Sequence, residues 1–193
     1  MPFTPSHIAA ALPLLRGPLT RLPYVPAALV IGTMIPDVPL FTALWPSYAT
    51  THSLAGVLTV DVVATCVAVA LFHLVLRAPL IALLPRRIGD RLPPTPPLRA
   101  PVTLVWVPVT AAFGAATHSF WDSFTHWRST VVWGPELGTV VVADLPLYNV
   151  LQHLSSTLGL LAIGWWSLRR LRDLPRRSEP LRLRLTTPVR VAV

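Results

Sequence analysis

A chain of 193 residues is long enough for one or two soluble domains, yet only 12% of its residues are charged and its mean hydropathy is +0.59. That balance excludes an ordinary soluble core of this size and points to a membrane protein. The formal charge is +8 and all sixteen basic residues are arginine. No segment interleaves basic and aromatic residues as a nucleic-acid surface does, so nucleic acid is excluded as a partner.

Thr4 followed by Pro5 pairs a helix N-cap with proline at the first helical position, which predicts a short helix from Pro5 to Arg16. It reaches only half the depth of a bilayer, and it is too short, with no basic start before it, to be a signal peptide. Four later segments are long enough to cross the hydrocarbon, which takes about 20 residues. They are Pro26 to Leu44, Ser53 to Leu76, Val102 to Trp121 and Val150 to Leu168. "IPDVP" predicts a break near the end of the first, and Pro108 a kink in the third. The single Cys66 lies in the second, so there is no disulfide framework and no thiolate metal site.

Between the second and third segments lies the basic, proline-rich loop "RAPLIALLPRRIGDRLPPTPPLRAP", expected to lie along the bilayer surface. The next loop, "RSTVVWGPELGTVVVADLPL", is apolar for a loop and reads as a lid that dips back. The tail "RRLRDLPRRSEPLRLRLTTPVRVAV" is too basic and too broken by proline to fold alone, and anionic lipid is its expected partner. The expected fold class is therefore an all-α membrane protein with about four transmembrane helices and a short N-terminal half-depth helix. Residues 1–168 form a single polytopic domain, and 169–193 a basic tail, disordered or bound to the surface.

Orientation follows from arginine. Fifteen of the sixteen fall before the first segment, between the second and third, or after the fourth, and only Arg128 falls on the other side. By the positive-inside rule those three regions, the C-terminus included, are cytoplasmic. Trp45, Tyr48, Trp121, Trp127, Trp133 and Tyr148 mark the outer boundary, and Tyr24, Trp165 and Trp166 the inner one.

On that frame Asp37, His52, His118, Asp122, His126 and His153 all reach the outer end of the bundle. In "THSFWDSFTHW" the residues His118, Asp122 and His126 are four apart, so they descend one flank of a helix. Ionisable groups in a span are costly and mark sites facing the bundle interior. The inner ends, which carry His73 as their only histidine, show no such convergence. His7 stands about 14 Å above Arg16 if the helix is continuous, and reaches a deep part of the site only if that helix packs beside the first span. Asp61 lies about half a bilayer below His52, on the opposite flank and without a nameable partner. In "YNVLQHLSST", His153 with Thr157 and Gln152 with Ser156 are spaced to orient imidazoles, or alternatively to pack helix on helix.

Five stretches, "MPFTPSHIAAALPLL", "GTMIPDVPLF", "THSLAGVL", "THSFWDSFTH" and "LPLYNVLQH", occur in an order that resembles the bacterial membrane-protein family called domain of unknown function 4184. They run from Met1 to about Leu168. The family name implies no established reaction; the resemblance implies a bacterial membrane protein, and the four expected spans make it a multi-pass protein of the plasma (inner) membrane. More distantly the chain is similar to inner-membrane metal-dependent hydrolases, whose pattern falls on His7, Pro36 with Asp37, Thr51-His52-Ser53, and His118 with Asp122. That group carries a second acidic residue where this chain has Pro39, and a basic residue before the Thr-His-Ser that this chain lacks. The departures argue against a two-metal centre and against carrying over a substrate.

The function expected from these residues is a metal-dependent hydrolase acting on a lipid or lipid-linked phosphoester at the outer boundary. Imidazole and carboxylate without thiolate suit zinc, with manganese or iron as alternatives. His52, His118 and Asp122 are the expected ligands, and Asp37 a fourth ligand or general base. His126 and His153 are expected as second-layer groups or proton donors, and His7 as a further ligand or support. The alternative is a non-enzymatic protein: the proton or metal-ion relay of a transporter, for which a homo-oligomer would supply more spans, or a lipid-binding scaffold.

Overall fold

The computed structural model describes residues 3–93 and 100–176. The most proline-rich part of the basic loop and the end of the basic tail, with its expected attraction to lipid, lie outside the described residues. Pro5 stands in the first turn of a 3₁₀ segment, Thr4–His7, that runs into α1, Ile8–Ala11. The expected single helix to Arg16 is instead a series of short turns, Leu14–Arg16 and Pro18–Arg21, because Pro13 and Pro18 each remove a backbone donor. Helix α2, Val25–Gly32, opens at Tyr24, whose φ of 67° turns the chain into it, and takes Pro26 in its first turn.

At Thr33 the hydroxyl donates back to the Val30 carbonyl at 2.7 Å, and the chain rewinds as the 3₁₀ turn Ile35–Leu40. The expected first span, Pro26 to Leu44, is therefore two pieces and not a continuous helix, with Pro36 and Pro39 inside the second. Two short helices follow, α3, Tyr48–Thr51, and α4, Leu54–Leu58. Each is capped by serine: Thr50 N–H donates to Ser47 Oγ at 3.3 Å and Gly56 N–H to Ser53 Oγ at 3.0 Å. Helix α5, Val60–Leu71, a π-helical turn, Phe72–Leu76, and α6, Arg77–Leu83, follow in line. The whole run Leu54–Leu83 has 30 residues and a mean hydropathy of 2.3. Among the described residues it is the one helix that is long and apolar enough to cross a membrane, where the sequence led us to expect four.

After α7, Arg86–Gly89, come two long helices. Helix α8, Ala100–Thr125, has 26 residues and contains Pro108 without ending there. The loop beyond it holds α9, Ser129–Val132, a 3₁₀ turn, Pro135–Gly138, and two strands, β1, Val140–Val142, and β2, Leu145–Pro146. The strands pair antiparallel, Val140 opposite Pro146 and Val142 opposite Leu145. Ala143 and Asp144 make the turn with φ of 46° and 60°, the backbone that a two-residue hairpin needs. A β-branched run of three valines next to such a turn favours strand over helix, so this small sheet corrects the all-α expectation. Trp133 ties the loop to α8, stacking on Phe124 at 4.3 Å and donating to Ser123 Oγ at 2.9 Å. The last helix, α10, is Leu147–Asp173 with 27 residues. Arg91 Nη1 donates to the carbonyls of Leu171, Arg172 and Leu174 at 3.2, 3.3 and 2.6 Å, which caps α10 with a cation at the negative end of its dipole.

Helices α2, α5 and α8 pack together. At one end Tyr24, Val25, Ala28, Val69 and Val107 form an apolar cluster. Toward the other end the buried side chains become polar: Thr33, Asp37, Thr51, Asp61, Thr65, His118, Asp122 and Thr125. Exposure runs the opposite way, with Leu54, Leu74, Leu83 and Leu104 each more than 70% exposed. The crossing of α2 and α8 is close because it is made by glycine. A Cβ on Gly32 would stand 2.7 Å from the Ala111 carbonyl oxygen, and one on Gly114 would stand 2.5 Å from that of Leu29.

Gly114→Val should force these backbones apart. The expected cost is about 1–3 kcal/mol, the range for overpacking, seen as a lowered thermal midpoint in detergent. An unchanged midpoint would show that the crossing tolerates separation.

Candidate metal centre

Four elements that are distant in sequence deliver the site. The turn Ile35–Leu40 brings Asp37, which is fully buried. Its Oδ2 accepts from Thr4 Oγ1 at 2.6 Å, while Oδ1 has no hydrogen-bond partner. Thr51 Oγ1 donates to the Pro36 carbonyl at 2.7 Å, which fixes this turn to α3. The serine caps then bend the chain between α3 and α4 at His52. Gly56 permits the bend, since a Cβ there would collide with the Thr50 carbonyl. Helix α8 brings His118 and Asp122 one turn apart, and the 3₁₀ turn Thr4–His7 brings His7.

The hydrogen bonds determine which imidazole atom is available. His118 Nδ1 donates to the Thr33 carbonyl at 2.8 Å, and His52 Nδ1 donates to the Tyr48 carbonyl at 3.0 Å. A carbonyl can only accept, so the proton sits on Nδ1 and the lone pair of each neutral ring is on Nε2. This is the arrangement that orients metal-ligating histidine. His118 Nε2 lies 3.4 Å from Asp37 Oδ1 and 3.5 Å from Asp122 Oδ2. His52 Nε2 lies 3.4 Å from Asp122 Oδ2 and 4.0 Å from Asp37 Oδ1. One ligand atom from each of Asp37, His52, His118 and Asp122 lies within 4.8 Å of the other three. Bonds of about 2 Å to one ion place ligand atoms within about 4 Å of one another, so small side-chain adjustments suffice.

His7 joins them. Its ring stacks on His118 with centroids 3.8 Å apart, and its Nε2 lies 3.3 Å from Asp122 Oδ1. Burial above all pushes the His7 pKa down to about 4, so the ring is neutral at physiological pH. It arrives packed mainly on α10, where the sequence suggested a place beside the first span. Tyr48 is a participant that sequence reasoning missed. Its hydroxyl donates to Asp122 Oδ2 at 2.9 Å and its ring stacks on His52 at 3.7 Å. Burial first, and then the Asp122 carboxylate, raise the Tyr48 pKa, so it stays a donor. The i,i+4 spacing of Tyr48 and His52 carried the signal, hidden because Tyr48 also fits an interfacial belt. Thr4 and Thr33 were missed as well. Thr33 acts through its backbone, which no side-chain pattern reveals.

His126 stands at the rim: Nδ1 donates to the Asp122 carbonyl at 2.9 Å, and Nε2 has no hydrogen-bond partner. His153 does not come to the cluster, because it lies exposed on α10. The neighbouring hydroxyls do not orient imidazoles either. Thr157 Oγ1 donates to the His153 carbonyl at 3.0 Å, and Ser156 Oγ donates to that of Gln152 at 2.8 Å and accepts from Phe3 N–H at 2.9 Å. Ser156 holds the N-terminal segment on α10. Asp61 is buried with neither oxygen hydrogen-bonded, and His73 bonds the Val69 carbonyl at 3.1 Å, near Tyr24 at the apolar end.

The residues present suit a divalent cation. Among the buried atoms without a hydrogen-bond partner, Asp37 Oδ1, Asp122 Oδ1 and Nε2 of His7, His52 and His118 meet in this one cluster. Two carboxylates neutralise a divalent charge, and buried charge of this kind persists only when compensated. The chain belongs to the family described as domain of unknown function (DUF4184), whose model matches residues 1–193. No curated protein and no solved structure matches it.

Tyr48→Phe removes one hydrogen bond to Asp122 without changing ring volume. Partners of this kind are worth about 10- to 100-fold in metal affinity, so zinc should be lost at correspondingly higher free concentrations in a chelator titration. Affinity equal to wild type would show that the hydroxyl does not support the site.

Proposed function

We propose that this is a multi-pass membrane protein with a divalent-metal site, zinc by preference, that hydrolyses a lipid or lipid-linked phosphoester at the outer boundary. The observation that carries the proposal is the pair of histidines, each tied by Nδ1 to a carbonyl and each presenting Nε2 to two buried carboxylates. Imidazole and carboxylate donors without thiolate are a zinc, manganese or iron set. His52, His118 and Asp122 hold the ion, and His7 and Tyr48 support Asp122.

When bound, such an ion supplies Lewis acidity toward a phosphoryl oxygen and lowers the pKa of water. Asp37 is the base, its Oδ2 restrained by Thr4 and its Oδ1 free to take the proton of the attacking water. As the new P–O bond forms the ester P–O bond breaks, and the leaving oxygen takes a proton from Nε2 of a doubly protonated His126 at the rim. The membrane reading is supported by the long apolar run Leu54–Leu83 and by the reversal of polarity, with buried aspartate and histidine and exposed leucine. At 1.5 Å per residue, α8 and α10 also exceed the thickness of the hydrocarbon. The arginine distribution supports four crossings, a cytoplasmic C-terminus and residence in a bacterial inner membrane.

A second reading is favoured by a specific feature. The interruption between α2 and the turn Ile35–Leu40 lies beside the cluster, and broken helices surround ion sites in transporters. Without metal, His118 between two carboxylates 3.4 and 3.5 Å away is also the geometry of a proton-holding network. Flux in proteoliposomes tests that reading.

Elemental analysis of detergent-purified protein separates the two. Wild type should carry zinc after supplementation. His118→Ala should lose it while remaining monodisperse, and Asp122→Asn should bind more weakly. His73→Ala, at the apolar end, should match wild type. Absence of metal from wild type would refute the hydrolase and leave the proton network.

Orientation is tested by labelling intact cells with an impermeant thiol reagent in a Cys66→Ala background. A cysteine at exposed position 136 should react and one at position 173 should not. The reverse pattern would place the cluster at the cytoplasmic boundary.

A further inference from the structure

Beside the cluster lies a cavity of about 420 Å³ between the N-terminal segment, Trp121 of α8, and α10. Its size is that of a small-molecule site. Along α10 its wall is Leu151, Leu154 and Leu158, and opposite stand Ala9 and Ala10 of α1. Leu154 and Leu158 are also more than half exposed, so the cavity opens sideways onto the apolar outer surface of the helices. Its inner end is different. His7 lines the cavity, is 96% buried by its 4% exposure, has an Nε2 without a hydrogen-bond partner, and touches Asp122. One side chain thus belongs to both the apolar cavity and the cluster of carboxylates and imidazoles.

The wall is small by composition. Ala9, Ala10 and Ala162 leave room that larger residues would fill. Gly159 lets the N-terminal turn lie directly on α10, since a Cβ there would stand 2.9 Å from the Ser6 carbonyl oxygen. A free soluble substrate has no use for a leucine-lined opening on a hydrocarbon-facing surface. An amphiphile does: its tail gains burial along the wall, and its anionic head lies at the metal-binding end.

We propose that this cavity holds one hydrocarbon chain of a phosphate-bearing lipid, entering sideways between α1 and α10 and passing His7 so that the phosphate meets the cluster. The proposal rests on the hydrolase reading and names its substrate class as a lipid phosphoester whose chain is recognised along with its head.

The test uses full-length protein in detergent, zinc-supplemented, with two photoreactive probes carrying a diazirine in the chain: a monoacyl glycerophosphate and a prenyl phosphate. At least one should label residues 151–162 or 9–10 saturably, with competition by its unlabelled form, and the one that does identifies the chain. Ala162→Leu should reduce that labelling several-fold with metal content unchanged. A second filling variant, Ala10→Leu, should do the same should the first prove unstable. Labelling that is unsaturable and spread over exposed Leu54, Leu58 and Leu80 with both probes would overturn the proposal. So would full saturable labelling at 151–162 in both filling variants. Metal content, measured on the same samples, separates the failures: metal without chain labelling refutes the cavity alone, whereas chain labelling without metal refutes the hydrolase alone.

Discussion

The contact between the backbones of α2 and α8 is the constraint on which the rest of the molecule depends. Gly32 and Gly114 let the helices approach until carbonyl oxygens stand where side chains would ordinarily be. Without a Cβ at either position the two backbones pack directly on each other, so the separation of the helices is set by backbone and not by side chains. The crossing also has a chemical consequence. It places the Thr33 carbonyl, one residue past Gly32, against His118 Nδ1, one turn past Gly114. Helix packing and imidazole orientation are therefore one geometric fact.

From that crossing the polar cluster is built outward. Asp37 follows Thr33 by four residues, and the two prolines around it hold the chain in a turn that cannot continue as α-helix. Thr4, before the turn in sequence, and Thr51, after it, then pin it from two sides. Asp122 is contacted by His7, His52, His118 and Tyr48, so it is the member with most partners and joins α8 to the N-terminal turn and to α3. Two acidic groups amid several imidazoles can be stabilised by protons or by a metal ion. Fixed on Nδ1, each ring turns Nε2 toward the carboxylates, where it can carry a shared proton or, when neutral, offer its lone pair to an ion.

The apolar cavity extends this logic from the centre to the surroundings. A site buried beneath a helix bundle has to be reached, and the wall between α1 and α10 is the place where apolar lining, sideways exposure and a member of the cluster coincide. The N-terminal segment serves both purposes. It carries Thr4 and His7 to the carboxylates while its alanines form the opposite wall of the cavity.

The sequence by itself determined the helical character, the apolar run Leu54–Leu83, the family, and the residue types and i,i+4 spacing of His118 and Asp122. Those are local properties, since periodicity, hydropathy and proline act within a few residues. Only the tertiary structure decided which histidines meet. His7 and His153 were equally legible as polar residues of short motifs, yet His7 is drawn in by Gly159 and the N-terminal turn, while His153 faces outward on α10. A helical residue's direction depends on how the helix is rotated against its neighbours, and that rotation is set by contacts such as Ser6 on Gly159 that no local pattern encodes. Tyr48 was legible as an interfacial aromatic and became a partner of Asp122 only because the bend at Gly56 folds α3 over the site. The three-valine hairpin was misjudged for a related reason: its turn depends on positive φ at Ala143 and Asp144, residues without the glycine that ordinarily announces such a backbone.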